Sequence, residues 1–145
     1  MAAERGHAHV ELVRRFYRAF DDGAISEALA LFADDLETVD PGMGTVQGIP
    51  PFREYLETLK RAVPDARAEV DQIYDAGNVV VVEGRFVGTF TGPLATPKGD
   101  AEPTGANVEL RFADVSTIAD GRIVAYHTYY DQLGLLTQLG LMSDT

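Results

Sequence analysis

The hydrophobic period of this 145-residue chain changes once, at Pro64, from about 3.6 residues to 2. Before that proline, apolar side chains recur at helical spacing. Residues 10–20 carry Val10, Val13, Phe16, Tyr17 and Phe20 on one stripe, with Arg14, Arg15 and Arg18 opposite. Asp21-Asp22-Gly23 ends this helix, because glycine takes the left-handed C-cap geometry readily. Ile25, Ala28, Leu29 and Phe32 mark a second, short helix. Residues 36–40 read as a brief strand closed by Pro41-Gly42, and Pro50-Pro51 suits the start of a third helix bearing Phe52, Tyr55, Leu56, Leu59 and Val63.

Beyond Pro64 the side chains alternate. Ala66, Ala68, Val70, Gln72 and Tyr74 face one way, and Arg67, Glu69, Asp71 and Ile73 the other. Gly77-Asn78 turns the chain into a β-rich run over 79–91, where Gly84 and Gly88 predict a bend or bulge. Residues 92–106 hold six glycines and prolines and read as a long mobile loop of the kind that forms lids and rims. Two more strands, 107–118 and 122–130, meet at the hairpin signal Ala119-Asp120-Gly121, and Leu133, Leu135, Leu136 and Leu139 make a terminal helix. Residues 1–8 precede any apolar stripe and read as a flexible tail. The predicted fold is therefore α+β: helices covering one face of a strongly curved, mostly antiparallel sheet. Bent round them, such a sheet makes a cone with a closed apolar end and an open mouth suited to a small molecule.

Length fits one domain, with roughly 70% of the extended surface buried on folding. Hydrophobic residues at 46% and charged residues at 24% argue against disorder. Twenty-three acidic against 12 basic side chains leave a net charge of −11, which repels phosphate backbones and anionic lipid. Neither nucleic acid nor a membrane is an expected partner. The absence of cysteine excludes disulfides, thiolate catalysis and iron–sulfur chemistry. With no apolar leader and no run of about 18 apolar residues, a cytoplasmic domain is expected. Phosphate-binding glycine loops, dinucleotide fingerprints and nucleophile elbows are also missing.

What remains is a small set of polar residues in apolar surroundings. Asp40 shares a strand face with Leu36 and Thr38, and equally suits an Asx turn before Pro41. Asp114 shares a face with Leu110, Phe112 and Ser116; it either turns to water or, if buried, must pair or take up a proton. Tyr126, Thr128 and Tyr130 share one face of the last strand, as core, subunit interface or substrate platform. Ile123, Ala125, His127 and Tyr129 share the other, and His127 reads as a general base or a hydrogen-bonded strand histidine. Asp131 suits a helix N-cap. His7-Ala8-His9 lacks the carboxylate partner that a metal site needs, and no metal is expected.

Several segments, in order, resemble the SnoaL-like polyketide cyclase family of the nuclear transport factor 2-like superfamily, which includes ketosteroid isomerase and limonene epoxide hydrolase. They are Phe20-Asp21-Asp22-Gly23, Leu31-Phe32-Ala33-Asp34-Asp35, Val39-Asp40-Pro41, Val63-Pro64-Asp65, Pro103-Thr104-Gly105, Asp120-Gly121-Arg122-Ile123, and Tyr130-Asp131 with Gln138-Leu139-Gly140. The resemblance spans residues 10–141 and implies a cone-shaped α+β barrel, commonly a homodimer through its sheet, acting without cofactors on hydrophobic ketones, polyketides or epoxides. It implies Asp40 as general base and Asp114 as a protonated oxyanion donor. Phe16 stands where the isomerase keeps an oxyanion tyrosine, with Tyr17 adjacent. In the cyclases a histidine holds the place of Asp114 and an aspartate that of Thr128, and Phe112 and Thr128 break the epoxide hydrolase triad. Substrate contacts are expected from Phe16, Tyr17, Phe20, Phe32, Phe86, Phe112, Tyr126, Thr128 and Tyr130. The expected activity is acid–base chemistry on a hydrophobic carbonyl compound. Alternatives are an aspartate-activated water opening an epoxide or ester, or a binding protein for hydrophobic ligands without catalysis.

Overall fold

The computed structural model describes residues 2–141. Helices α1 (Ala2–Asp21) and α2 (Ile25–Leu29) lead into strands β1 (Phe32–Asp40) and β2 (Gly44–Gln47), followed by α3 (Ile49–Ala62). Strands β3 (Arg67–Asp75) and β4 (Val79–Thr89), a small hairpin of β5 (Leu94–Thr96) and β6 (Gly99–Ala101), and strands β7 (Asn107–Ala119) and β8 (Arg122–Tyr130) come next; α4 (Gln132–Gln138) ends the order. Six strands form one sheet in the order β2-β1-β8-β7-β4-β3, antiparallel except where β1 runs parallel to β8. Strands β2 and β3 are its two edges, so the sheet curves without closing into the expected barrel.

Bulges set the curvature and correct the predicted alternation. On β3, Val70 pairs with Gly84 and Gln72 with Glu83, so Asp71 is an extra residue. The faces exchange after it: Ile73 packs on the core and Tyr74 is 48% exposed. On β8, Ala125 pairs with Thr117 but Ile123 with Ile118, which adds Val124 and turns Ile123 inward to full burial. Gly84 is required where the strands crowd: a Cβ there would sit 2.5 Å from the Glu69 carbonyl and 2.9 Å from the Phe112 ring.

Other boundaries differ from the periodicity reading for local reasons. Alanines and charged helix formers extend α1 back to Ala2 through most of the expected tail. The Nδ1–H of His9 donates to the Gly77 carbonyl at 2.6 Å. Phe32 opens β1 instead of ending α2. The expected loop over 92–106 contains the β5–β6 hairpin, which turns at Pro97-Lys98 and enters β6 at Gly99 with φ of 103°. Among the described residues no helix is long and apolar enough to cross a membrane.

Helix α1 crosses β3 and β4, while α3 lies against β1 and β2. Between them Phe16, Phe32, Phe52 and Tyr126 pack ring on ring, with Phe32 and Phe52 centroids 4.7 Å apart and Phe16 and Phe32 edge-to-face at 5.0 Å. These aromatic rings close one end of the curved sheet.

Candidate active site

The concave face of the sheet, with α1, α3, α4 and the β5–β6 hairpin, encloses a cavity of about 490 Å³. That volume lies within the usual range for small-molecule sites, about 300–1,000 Å³. Its walls are mostly apolar, with Phe16 and Phe20 from α1, Phe86 from β4 and Phe112 from β7. Phe32, expected to touch substrate, does not line it. As the first residue of β1 it lies behind Phe16 and Tyr126, 2% exposed, in the aromatic floor.

Asp114 sits at the middle of β7, opposite Val82 on β4 and Thr128 on β8, and is 2% exposed. Its Oδ2 accepts two buried phenols, Tyr17 at 2.7 Å and Tyr126 at 2.8 Å. Its Oδ1 is buried without a hydrogen-bond partner among the described residues. Burial pushes this carboxyl up to about 6; the hydroxyls of Thr128, Tyr17 and Tyr126 pull the other way, and the charge of Asp40 adds to the rise. Burial first, then the Asp114 charge, holds both phenols well above the usual tyrosine range.

Asp40 ends β1, also 2% exposed, on the face it shares with Leu36 and Thr38. Its Oδ2 accepts the Gly42 N–H at 2.7 Å and the Met43 N–H at 3.0 Å. Both readings of this residue therefore hold: it makes an Asx-type turn with one oxygen, and its Oδ1 is buried and unpartnered. Tyr130 lines the cavity with it, its phenol raised by burial and then by the Asp40 charge. Both aspartates, Tyr126, Thr128 and Tyr130 from the strands and Tyr17 from α1 line the same cavity.

Sequence reasoning missed three parts of the wall. By spacing Tyr55 is one more position on the apolar α3 stripe; it lines the cavity with its phenol raised well above normal by burial, then by Tyr130. Gln132, first residue of α4, carried no signal. Leu94–Pro97 and, at the C-terminal helix, Leu135, Leu136 and Leu139 line the wall too. His127 points to the other face of the sheet, where its Nε2–H donates to Glu37 at 2.7 Å, so it is a paired strand histidine. Asp131 caps α4, accepting the Gly134 N–H at 2.9 Å. No group of three or more potential metal ligands occurs among the described residues.

Fold and site together define an α+β protein whose curved open sheet holds two buried carboxylates in an apolar chamber. The profile of the SnoaL-like domain matches residues 13–126, and the chain belongs to that family. An uncharacterised protein of Mycobacterium tuberculosis is 28% identical over 123 residues, covering 85% of this chain and 88% of its own length. Two crystal structures share the fold. A candidate SnoaL-like polyketide cyclase from Jannaschia sp. CCS1 superposes with a TM-score of 0.82 at 21% identity, covering 94% of each chain. AclR, a candidate hydroxylase from Streptomyces galilaeus, superposes with a TM-score of 0.80 at 21% identity, covering 100% of this chain and 86% of its own.

Proposed function

We propose that the protein is a cofactor-independent acid–base enzyme of the isomerase or cyclase type, acting on a hydrophobic carbonyl compound. One observation carries this reading: two aspartates, Asp40 and Asp114, each 2% exposed, line one apolar cavity; in each, Oδ1 is buried and makes no hydrogen bond among the described residues. Leaving a buried polar atom unsatisfied costs about 1–3 kcal/mol. Native folds keep such groups few, and functional sites are among the places where they occur. The polyketide cyclase name of one fold relative agrees with carbonyl chemistry.

In this mechanism Asp40 removes a proton from the carbon beside a carbonyl, and the electron pair moves to the carbonyl oxygen. The developing enolate accepts a hydrogen bond from protonated Asp114 through Oδ1. Ketosteroid isomerase, a relative of different sequence, is the standard example of a neutral aspartic acid in this role. The enolate carbon then adds to a second carbonyl of the same molecule, whose oxygen takes the proton from Asp40, or, where a double bond is conjugated with the enolate, that proton returns at the far carbon. Either outcome rearranges the substrate without consuming water or an oxidant. With Asp114 titrating near 6, about one molecule in ten carries its proton at pH 7, a free-energy cost of about 1.4 kcal/mol that a bound carbonyl must repay.

The test uses 2-tetralone, a bicyclic ketone with acidic α-hydrogens, in deuterium oxide. Nuclear magnetic resonance should show α-exchange accelerated by the protein and returned to the buffer rate by Asp40→Asn. Asparagine keeps an acceptor for the Gly42 and Met43 N–H groups, so the turn survives while the base is lost. An Asp40→Asn protein that exchanges at the wild-type rate would remove Asp40 from the mechanism.

A further inference from the structure

The charge of the cavity wall is one-sided. Among the described residues that line it, Asp40 and Asp114 are present but no lysine, arginine or histidine. Both aspartates are 2% exposed, and each keeps one oxygen without a hydrogen bond among the described residues. Lys60, which approaches the wall from behind, is already spent. Its Nζ lies 4.8 Å from the Phe20 ring centroid and donates to the Asp21 and Ala66 carbonyls at 3.0 and 2.7 Å. Asp114, titrating near 6, is mostly ionised at neutral pH, and the charge of Asp40 opposes that ionisation. A buried charge is costly until an opposite charge joins it. The rest of the wall suits such a charge: Phe20, Tyr55, Phe86, Phe112 and Tyr130 line the same cavity, and aromatic faces attract organic cations.

We propose that the cavity selects its occupant by charge: it takes a hydrophobic molecule carrying a protonated amine in preference to a neutral one of the same shape, and turns away a carboxylate. Charge selection rests on the cavity reading above and on none of its catalysis. Coulomb attraction falls only as the inverse of distance, so an ammonium seated among the rings is held by both carboxylates without touching either buried oxygen. Such an amine favours ionised Asp114 where the enolate needs it protonated, so amine binding and the exchange reaction oppose each other.

Isothermal calorimetry with three probes on one ring system tests it: 2-naphthylmethylamine, 2-naphthylmethanol and 2-naphthoate carry a positive, a neutral and a negative group. At pH 7 wild-type protein should bind the amine roughly tenfold more tightly than the alcohol, and the carboxylate least. The preference should persist in about 0.5 M salt, which screens a surface charge but reaches buried carboxylates far less. Asp40→Asn and Asp114→Asn should each bind the alcohol as wild type does and lose most of the preference for the amine. A wild type without that order, or one that binds none of the three, overturns charge selection. So does a preference that vanishes in salt, which would come from the net charge of −11, or one that survives in both variants. If one variant no longer binds the alcohol, the other decides; if neither binds it, the salt series decides. Exchange on 2-tetralone is read separately. Asp40-dependent exchange without an amine preference leaves the mechanism standing, and an amine preference without exchange leaves charge selection standing.

Discussion

Because Tyr17 and Tyr126 both donate to Oδ2 of Asp114, a proton taken up by this carboxyl goes to Oδ1, the oxygen without a partner. Folding raises this group from an ordinary aspartate value to about 6, so the folded protein holds the proton more tightly than the unfolded chain. Its contribution to stability is complete below about pH 4 and is lost as pH rises to 6. The difference amounts to about 3 kcal/mol. Asp114→Asn cannot ionise, so its stability relative to wild type should improve by about that amount between pH 4 and pH 7. Urea unfolding at the two pH values measures this, and a constant difference would show that Asp114 is not strained by its charge. Strand alternation puts Asp40 on the face of Leu36 and Thr38 and Asp114 on that of Leu110 and Phe112, but it leaves open whether either carboxyl turns to water or to a turn; packing decides that. Tyr17 as a donor to Asp114 was not legible in the sequence, since neighbouring helical positions differ by a rotation that only packing fixes. Gln132 was hidden because nothing local distinguishes a glutamine bonded to a strand from one facing a cavity.

At the scale of elements, the curvature that makes room for the site depends on irregular pairing. The β3 bulge at Asp71 lies against Gly84, where β4 comes so close to the Glu69 carbonyl and the Phe112 ring that no side chain fits. Gly84→Ala should therefore cost about 2–3 kcal/mol, read as a lower urea midpoint at unchanged slope. A neutral Gly84→Ala would mean that the strands can separate there without penalty. The elements themselves were largely readable: three helical stripes, four alternating strands and the Asp120-Gly121 turn all appear where the pattern puts them. What the pattern could not carry was the phase after a bulge. One extra residue in β3 or β8 exchanges inside for outside, so Tyr74 and Ile73 trade places and Ile123 turns inward. Short elements escaped for a different reason. Strand β2 and the β5–β6 hairpin are three or four residues long, too brief for any period to show.

At the scale of the whole molecule, the open sheet has a second face. Across it the register aligns Val39, His127, Val115, Val81 and Tyr74 as one row from β1 to β3. We propose that this row is the homodimer face that the family resemblance implies, its apolar residues half-buried or exposed in the single chain. Wild-type protein should sediment at twice the chain mass and Val115→Glu at the chain mass; a monomeric wild type removes the proposal. The other face leads to the final consequence. Its chamber shares a floor with the core, since Phe16 and Tyr126 both line the cavity and pack on Phe32 and Phe52. A guest that seats well thus completes the packing of the protein as well as meeting its chemistry. Thermal resistance and occupancy should rise together, by about 2.7 kcal/mol when the guest is present at a hundred times its dissociation constant. Heat, applied to a library of small molecules, would then sort the good guests from the poor.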